Sequence, residues 1–158
     1  MSFHSFDQNI YPKLLLYTQT TTATSAYVNP FTNFNRCYIM LLAAAVGTTL
    51  DMKLVQATSS AGAGSKDVTD AAAAVLDITQ LAATEVGLQG LDFGPGVLDQ
   101  ANSFTHVAVT VTAAGTCAWD VIAFYYQPRY PGGTTHDTTY RVANSARLYA
   151  RGGAVSQG

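Results

Sequence analysis

The strongest constraint on the fold is an alternation of side chains in two stretches, in which every second residue is a large apolar one over most of the length. One is Leu50-Asp-Met-Lys-Leu-Val-Gln-Ala and the other is Phe104-Thr-His-Val-Ala-Val-Thr-Val-Thr. Successive side chains of a β-strand point to opposite sides, so a period of two predicts strands with one buried face. The side chains predicted to face the core are Leu50, Met52, Leu54, Val107, Val109 and Val111.

Further short segments have strand character and are separated by turn residues. Tyr11–Thr18, Glu85–Leu91 and Cys117–Tyr126 are predicted strands, and Arg36–Ala45 is predicted to be a strand buried on both sides because it has no polar face. We expect Arg36–Ala45 to pair with the Leu50 strand across Val-Gly-Thr-Thr, and the Phe104 and Cys117 strands to form a hairpin around Gly115. Seven or eight such strands predict an all-β fold, a β-sandwich of jelly-roll or Ig-like type.

The composition supports an all-β chain that associates with other subunits. Only 11% of the 158 residues are charged, against roughly 25% in average globular proteins, while 48% are hydrophobic. Thr, Ser, Asn, Gln and Gly supply most of the polar surface, as is typical of strands and turns. Because interface cores are depleted in charge and enriched in aromatic residues, we expect a homo-oligomer whose surface is partly covered by neighbours.

Charge and hydropathy argue against nucleic-acid and membrane partners. The formal net charge is −2 and the pI is about 5.8, which disfavours attraction to nucleic acid or to anionic lipid. The longest apolar run, Cys37–Val46, is about half of what a membrane helix needs. The first residues have neither a basic leader nor a long apolar stretch, so no secretory signal is expected.

No metal, cofactor or catalytic site is predicted. His4, His106 and His136 are far apart in the sequence, and none has a second ligand at a metal-binding spacing. Asp67 and Asp70 lack the Asp-x-Asp-x-Asp-Gly spacing and the final Glu of a calcium-binding loop.

Catalytic motifs are missing as well. No nucleophile elbow or phosphate-binding loop occurs, and Glu85 is the only glutamate, so a pair of catalytic carboxylates has little support. A non-enzymatic protein is expected. Cys37 and Cys117 lie in apolar segments without a partner spacing, which favours two buried thiols over a disulfide.

The predicted domain organisation is an N-terminal arm (1–10), a β-sandwich domain (11–133) and a C-terminal arm (134–158). The C-terminal arm is locally basic and has scattered apolar anchors without a core pattern. Seven residues at the end of the domain and in this arm are candidates for contact with other subunits. They are Arg129, Tyr130, Tyr140, Arg141, Arg147, Tyr149 and Arg151.

Four stretches resemble small structural proteins of tailed bacteriophages. They are Thr48-Thr-Leu-Asp-Met-Lys-Leu-Val-Gln-Ala-Thr, Lys66-Asp-Val-Thr-Asp, Phe104-Thr-His-Val-Ala-Val-Thr-Val and Gln127-Pro-Arg-Tyr-Pro. The resemblance covers roughly residues 38–131. The arm at 134–158 departs from the usual short ending of these proteins.

The resemblance implies a capsid cement (decoration) protein. Such a protein would bind the outer face of an icosahedral phage head as a dimer or trimer, with the major capsid protein and sister copies as partners. It would be made in the cytoplasm of a bacterial host and end up on the virion surface. The alternatives are a head–tail connector, a tail or receptor-binding module, and a small enzyme or carbohydrate-binding domain.

Overall fold

A computed structural model describes residues 10–70, 73–82 and 85–128 of the chain. Three single 3-10 turns and nine strands make up its regular structure. The 3-10 turns are Pro30–Thr32, Pro95–Val97 and Gln100–Asn102. The strands are β1 Ile10–Gln19, β2 Ala23–Thr24, β3 Phe34–Ala45, β4 Thr49–Ala57, β5 Lys66–Asp67, β6 Asp77–Ala82, β7 Gly87–Phe93, β8 His106–Ala114 and β9 Ala118–Pro128.

The strands form two antiparallel sheets that pack face to face. One sheet has the order β1-β9-β3-β7, and the other has the order β2-β8-β4-β5, with β6 also paired to β4. Consecutive strands cross from one sheet to the other, except that β4, β5 and β6 stay together. This interleaved, two-sheet order is that of a jelly roll, so the predicted β-sandwich is confirmed in its jelly-roll form.

The two predicted hairpins are wrong, because each of those strand pairs is split between the sheets. β3 pairs with β7 and β9, whereas β4 pairs with β5, β6 and β8. Likewise β8 and β9 lie in opposite sheets. The short connections that suggested hairpins are crossings between the sheets.

The two crossings pack against each other at one end of the sandwich. The Thr48 amide donates to the Ala114 carbonyl at 2.9 Å, and the Gly47 amide lies 3.4 Å from the Cys117 sulfur. A Cβ atom at Gly47 would lie 2.5 Å from the Thr116 amide nitrogen. Glycine at 47 therefore allows the two chain segments to pass this closely, which a local hairpin model does not anticipate.

The core lies between the sheets and follows the predicted alternation. Every side chain that the sequence predicted to point inward from β4 and β8 is buried. From the other sheet, Leu41, Trp119, Val121 and Tyr125 complete the core, each at most 2% exposed. Cys37 and Cys117 are buried free thiols, as predicted. Burial is the main cause that raises the pKa of the Cys37 thiol, followed by the negative charge of Asp92.

The predicted arms are largely outside the described residues. Ile10, which the sequence placed at the end of the N-terminal arm, is the first residue of β1. Residues 1–9 and 129–158 are not described, so the arm boundaries stay predictions.

Candidate interaction surface

The outer side of the sheet β1-β9-β3-β7 is predominantly apolar. Side chains opposite one another in this sheet share a face, and those that alternate with the buried positions point away from the core. We call this surface the outer apolar face. It consists of Ile10, Pro12, Leu14, Tyr38, Met40, Leu42, Leu88, Gly90, Ile122, Phe124 and Tyr126, with the charged residues Arg36, Asp92 and Asp120.

The strand register places the apolar side chains in continuous rows. Leu14 is opposite Ile122, which is opposite Met40, so one row crosses three strands. Leu14 is 43% exposed and Leu88, on the edge strand β7, is 60% exposed. Contiguous apolar rows of this kind make the face a candidate contact surface, since isolated exposed apolar residues are common and need no explanation.

A tyrosine and a glycine shape the β7 side of this face. A Cβ atom at Gly90 would lie 2.1 Å from the Tyr38 hydroxyl oxygen, so the tyrosine side chain occupies the space that any other residue at 90 would fill. The Tyr38 ring also lies 6.4 Å from the Phe124 ring, at an interplanar angle of 41°. The aromatic side chains therefore lie along the sheet and cover it.

A charged cluster borders the outer apolar face. The Arg36 guanidinium donates to an Asp92 carboxylate oxygen at 2.5 Å, and the Tyr126 hydroxyl donates to the other at 2.6 Å. Arg36 Nε lies 3.4 Å from the Tyr126 hydroxyl oxygen. The three side chains come from three adjacent strands and bind one another across the sheet.

These contacts shift the acid–base equilibria of the cluster. Desolvation is the largest influence on Asp92 and raises its pKa, but the hydrogen bonds from Arg36 and Tyr126 outweigh it, so the net pKa is below the usual value. The hydrogen bond to Asp92 is the main cause that raises the pKa of Arg36. Desolvation and then the bond to Asp92 raise the pKa of Tyr126. At neutral pH the cluster is a stable ion pair with an uncharged phenol.

The outer side of the opposite sheet is mainly polar. Lys53 forms an ion pair with Asp67 at 2.8 Å, and the hydroxyls of Thr24 and Thr110 lie 3.1 Å apart. We call this surface the outer polar face. Its members are Thr24, Asp51, Lys53, Val55, Asp67, Asp77, Thr110 and Thr112.

The buried Gln56 fixes a long connection at the edge of the outer polar face. Its side-chain oxygen accepts from the Asp99 amide at 2.8 Å, and its nitrogen donates to the Asp67 carbonyl at 3.3 Å. Lys66 pairs with Asp99 and lies 4.4 Å from the centre of the Phe104 ring. The hydrogen bond from Lys66 is the largest cause that lowers the pKa of Asp99. These contacts hold the segment between β7 and β8 against β4.

Three of the residues considered for metal binding, Asp67, Asp70 and His106, have structural partners, whereas His4 and His136 lie outside the described residues. Asp67 pairs with Lys53, and a carboxylate oxygen of Asp70 accepts from the Ala74 amide at 2.9 Å. The His106 ring lies 3.0 Å from the Thr105 hydroxyl. Within residues 10–70, 73–82 and 85–128, no group of three or more His, Cys, Asp or Glu side chains is placed to hold a metal ion. None of the helices in this part of the chain is long and apolar enough to cross a membrane.

The seven predicted contact residues all lie outside the described part of the chain, so they stay predictions. They are Arg129, Tyr130, Tyr140, Arg141, Arg147, Tyr149 and Arg151. The outer apolar face was missed because the absence of a polar side in Arg36–Ala45 was interpreted as burial on both sides. In the single chain, Tyr38, Met40 and Leu42 remain partly exposed on the outside. The same pattern is therefore also compatible with an apolar surface on the outside of the sheet.

The comparisons with known proteins give similarity at the level of solved structures. No protein-family model and no curated protein sequence matches the chain. Thirteen chains of solved structures match. One is the coat protein of Tobacco streak virus, with 12% identity, a TM-score of 0.35, and coverage of 87% of this chain and 98% of that chain. Another belongs to infectious bursal disease virus, Gx strain, with 11% identity, a TM-score of 0.36, and coverage of 78% and 33%.

Proposed function

We propose that this protein is a virion structural protein, and specifically a cement (decoration) protein that binds and stabilises the outer face of a phage head. The observation that carries the proposal is the outer apolar face on a jelly-roll body whose opposite face is polar. Such a body has one surface suited to contact with protein and one suited to water. The partner is the major capsid protein, together with sister copies.

The size of the outer apolar face suits repeated weak attachment. Four strands about 4.8 Å apart, with about seven residues at about 3.3 Å each, give a projected area of about 440 Å². A standard protein–protein interface buries about 800 Å² of accessible surface on each partner, a measure that is larger than projected area. One such face is therefore at the small end of the range for a one-to-one complex. On a symmetric shell, however, several weak contacts per oligomer act together and raise the overall affinity.

The sequence resemblance supports the phage assignment within this proposal. The resembling stretches include β4 and β8, which are the two central strands of the sheet β2-β8-β4-β5. A structural role needs no convergent polar groups in a cleft, which agrees with the absence of a catalytic motif from the sequence. A connector, tail or receptor-binding role would use the same apolar face against a different partner.

Stoichiometry and self-assembly test the proposal. We expect mass spectrometry of purified particles to find this chain at a copy number comparable to that of the major capsid protein. Expressed without the major capsid protein, it should form small oligomers and no shells. Far fewer copies, as at a single vertex, would favour the connector or tail role. Closed shells of this chain alone would identify a shell-forming subunit, and its absence from particles would overturn the virion role.

A further inference from the structure

We infer that in the unassembled protein the outer apolar face is covered by the chain's own C-terminal segment, residues 129–158. This inference goes beyond the proposed function and does not depend on it, since it concerns the protein before any particle forms. It rests on three features: where the segment starts, the charge of the two parts of the chain, and the apolar residues of the segment.

The segment starts beside the face that it would cover. Strand β9 is an inner strand of the sheet, between β1 and β3, and it ends at Pro128 opposite Phe34. The outward residues of β9 run from Asp120 to Tyr126, a length of about 20 Å at about 3.3 Å per residue. A chain that turns after Pro128 and runs back along this length needs only part of the 30 residues from 129 to 158. Because the tether is short, the effective concentration of the segment at this face is high.

The charges of the two parts are opposite. Residues 10–128 carry four basic and eight acidic side chains, a formal charge of −4, whereas residues 129–158 carry four arginines and one aspartate, a formal charge of +3. Two carboxylates, Asp92 and Asp120, stand at opposite ends of the outer apolar face. Asp92 already pairs with Arg36, and an Asp120 oxygen accepts from the Thr18 amide. The body as a whole therefore attracts the segment over a range of about a Debye length, about 8 Å at physiological salt. This attraction does not select a face, because the outer polar face also carries Asp51, Asp67 and Asp77 against Lys53. The start of the segment and its apolar residues select the outer apolar face.

The apolar residues of the segment and its covalent attachment favour this segment over a second copy. Between the arginines lie Tyr140, Val142, Leu148 and Tyr149, which match an apolar face with charged ends. An attached segment does not have to overcome the entropy cost of association between separate molecules.

A spin label on the segment tests the inference in the full-length chain. Cys37 and Cys117 are buried, so a nitroxide reagent labels an introduced cysteine selectively in Ser145→Cys. We expect amide signals of Met40, Leu42, Leu88 and Ile122 to lose intensity, while signals of Lys53 and Thr110 on the outer polar face keep theirs. Raising the salt concentration should partly restore the lost intensity.

A mixed sample identifies the source of the segment. Labelled protein without isotope is mixed with isotope-enriched protein without label, so that only contacts between molecules cause loss of signal. The inference predicts no loss in this mixture. Loss on the outer apolar face in the mixture as well would make a second copy the donor and overturn the inference. Loss on the outer polar face, or no loss anywhere, would also overturn it. None of these results depends on whether the protein belongs to a virion, which the copy number in particles tests separately.

Discussion

The two outer faces of this sandwich differ more than its two inner faces do. Inside, both sheets contribute buried aliphatic and aromatic side chains to one core. Outside, the sheet β1-β9-β3-β7 presents rows such as Leu14, Ile122 and Met40, whereas the other sheet presents threonines and the Lys53–Asp67 ion pair. The folding of the single chain explains the inner faces but does not require an apolar surface outside.

This difference indicates why the chain has so few charges. Seven charged residues belong to the two outer faces, and four of these, Asp51, Lys53, Asp67 and Asp77, lie on the outer polar face. On the outer apolar face, Arg36 and Asp92 neutralise each other. A face that carries few unpaired charges is suited to burial against protein, because each unpaired charge would be costly to desolvate.

The largest expected effect is the difference in unfolding free energy between substitutions on the inner and the outer side of β3. Leu41 is fully buried, and Leu42 is next to it on the outside. Leu41→Ala should lower the free energy of unfolding by about 2–5 kcal/mol, because it leaves a cavity in the core. Leu42→Ala should cost less than about 1.5 kcal/mol. Urea unfolding of both variants measures the two free energies of unfolding. Equal losses of stability would mean that the outer apolar face is part of the folding core.

The second prediction compares the same charge on the two outer faces. Met40→Glu places a carboxylate at the centre of the outer apolar face, and Thr110→Glu places one on the outer polar face opposite Lys53. Burial of an unpaired charge costs several kcal/mol, so Met40→Glu should weaken binding to capsids at least about 100-fold. The Thr110→Glu control should bind within about threefold of wild type.

Titration of each purified variant against capsids that lack this protein measures the two affinities. Urea unfolding of both variants excludes a folding defect as the cause. Stronger loss of binding in Thr110→Glu than in Met40→Glu would assign the contact to the opposite face.

The third prediction concerns the close contact between Gly90 and Tyr38. Gly90→Ala forces the Tyr38 side chain to move, since the new methyl group would overlap its hydroxyl and ring. We expect a loss of about 1 kcal/mol in unfolding free energy. Gly96→Ala is the matched control, because a Cβ atom there has no neighbour within 4 Å, and it should be neutral or slightly stabilising. Equal effects would show that Tyr38 does not pack on β7 as described.

The smallest expected effect is the pH dependence of the Arg36–Asp92–Tyr126 cluster. The pKa of Asp92 is lower in the folded than in the unfolded state, so its carboxylate stabilises the fold above about pH 4 and this contribution disappears as the pH falls through the folded value. Arg36 and Asp92 side chains are 38% and 41% exposed, so solvent screening keeps the effect below about 1 kcal/mol.

Asp92→Asn should therefore lower the unfolding free energy slightly at pH 7 and reduce its fall between pH 4 and pH 2. Tyr126→Phe, which removes one hydrogen bond to the carboxylate, should cause a smaller change in the same direction. Denaturant unfolding at pH 7 and at pH 3 measures both. An unchanged acid slope in Asp92→Asn would contradict the assigned cause.

The sequence predicted the strands better than their pairing. The alternation in β4 and β8 determines which side chains are buried, since that depends only on a period of two. Pairing depends on where the turn leads, and the short Gly47 and Gly115 connections are equally compatible with hairpins and with crossings between sheets. The β3–β9 and β4–β8 ladders and the contacts between the two turns distinguish the alternatives, and all of these join residues far apart in the sequence.

The candidate surface was predictable in part. The apolar character of Arg36–Ala45 on both sides was visible, but a strand in the middle of a two-sided core gives the same pattern. The Arg36–Asp92–Tyr126 cluster was not predictable, because its members come from β3, β7 and β9 and meet only through the sheet order. The predicted contact residues from 129 onward stay untested predictions.

A density map of the intact particle tests the central claim most directly. We expect the outer apolar face, with Met40 and Ile122 at its centre, to lie against a capsid subunit or a sister copy in this map, while Lys53 and Thr110 face solvent. A particle in which Met40 and Ile122 face solvent, or in which Lys53 and Thr110 are buried in the contact, would contradict it.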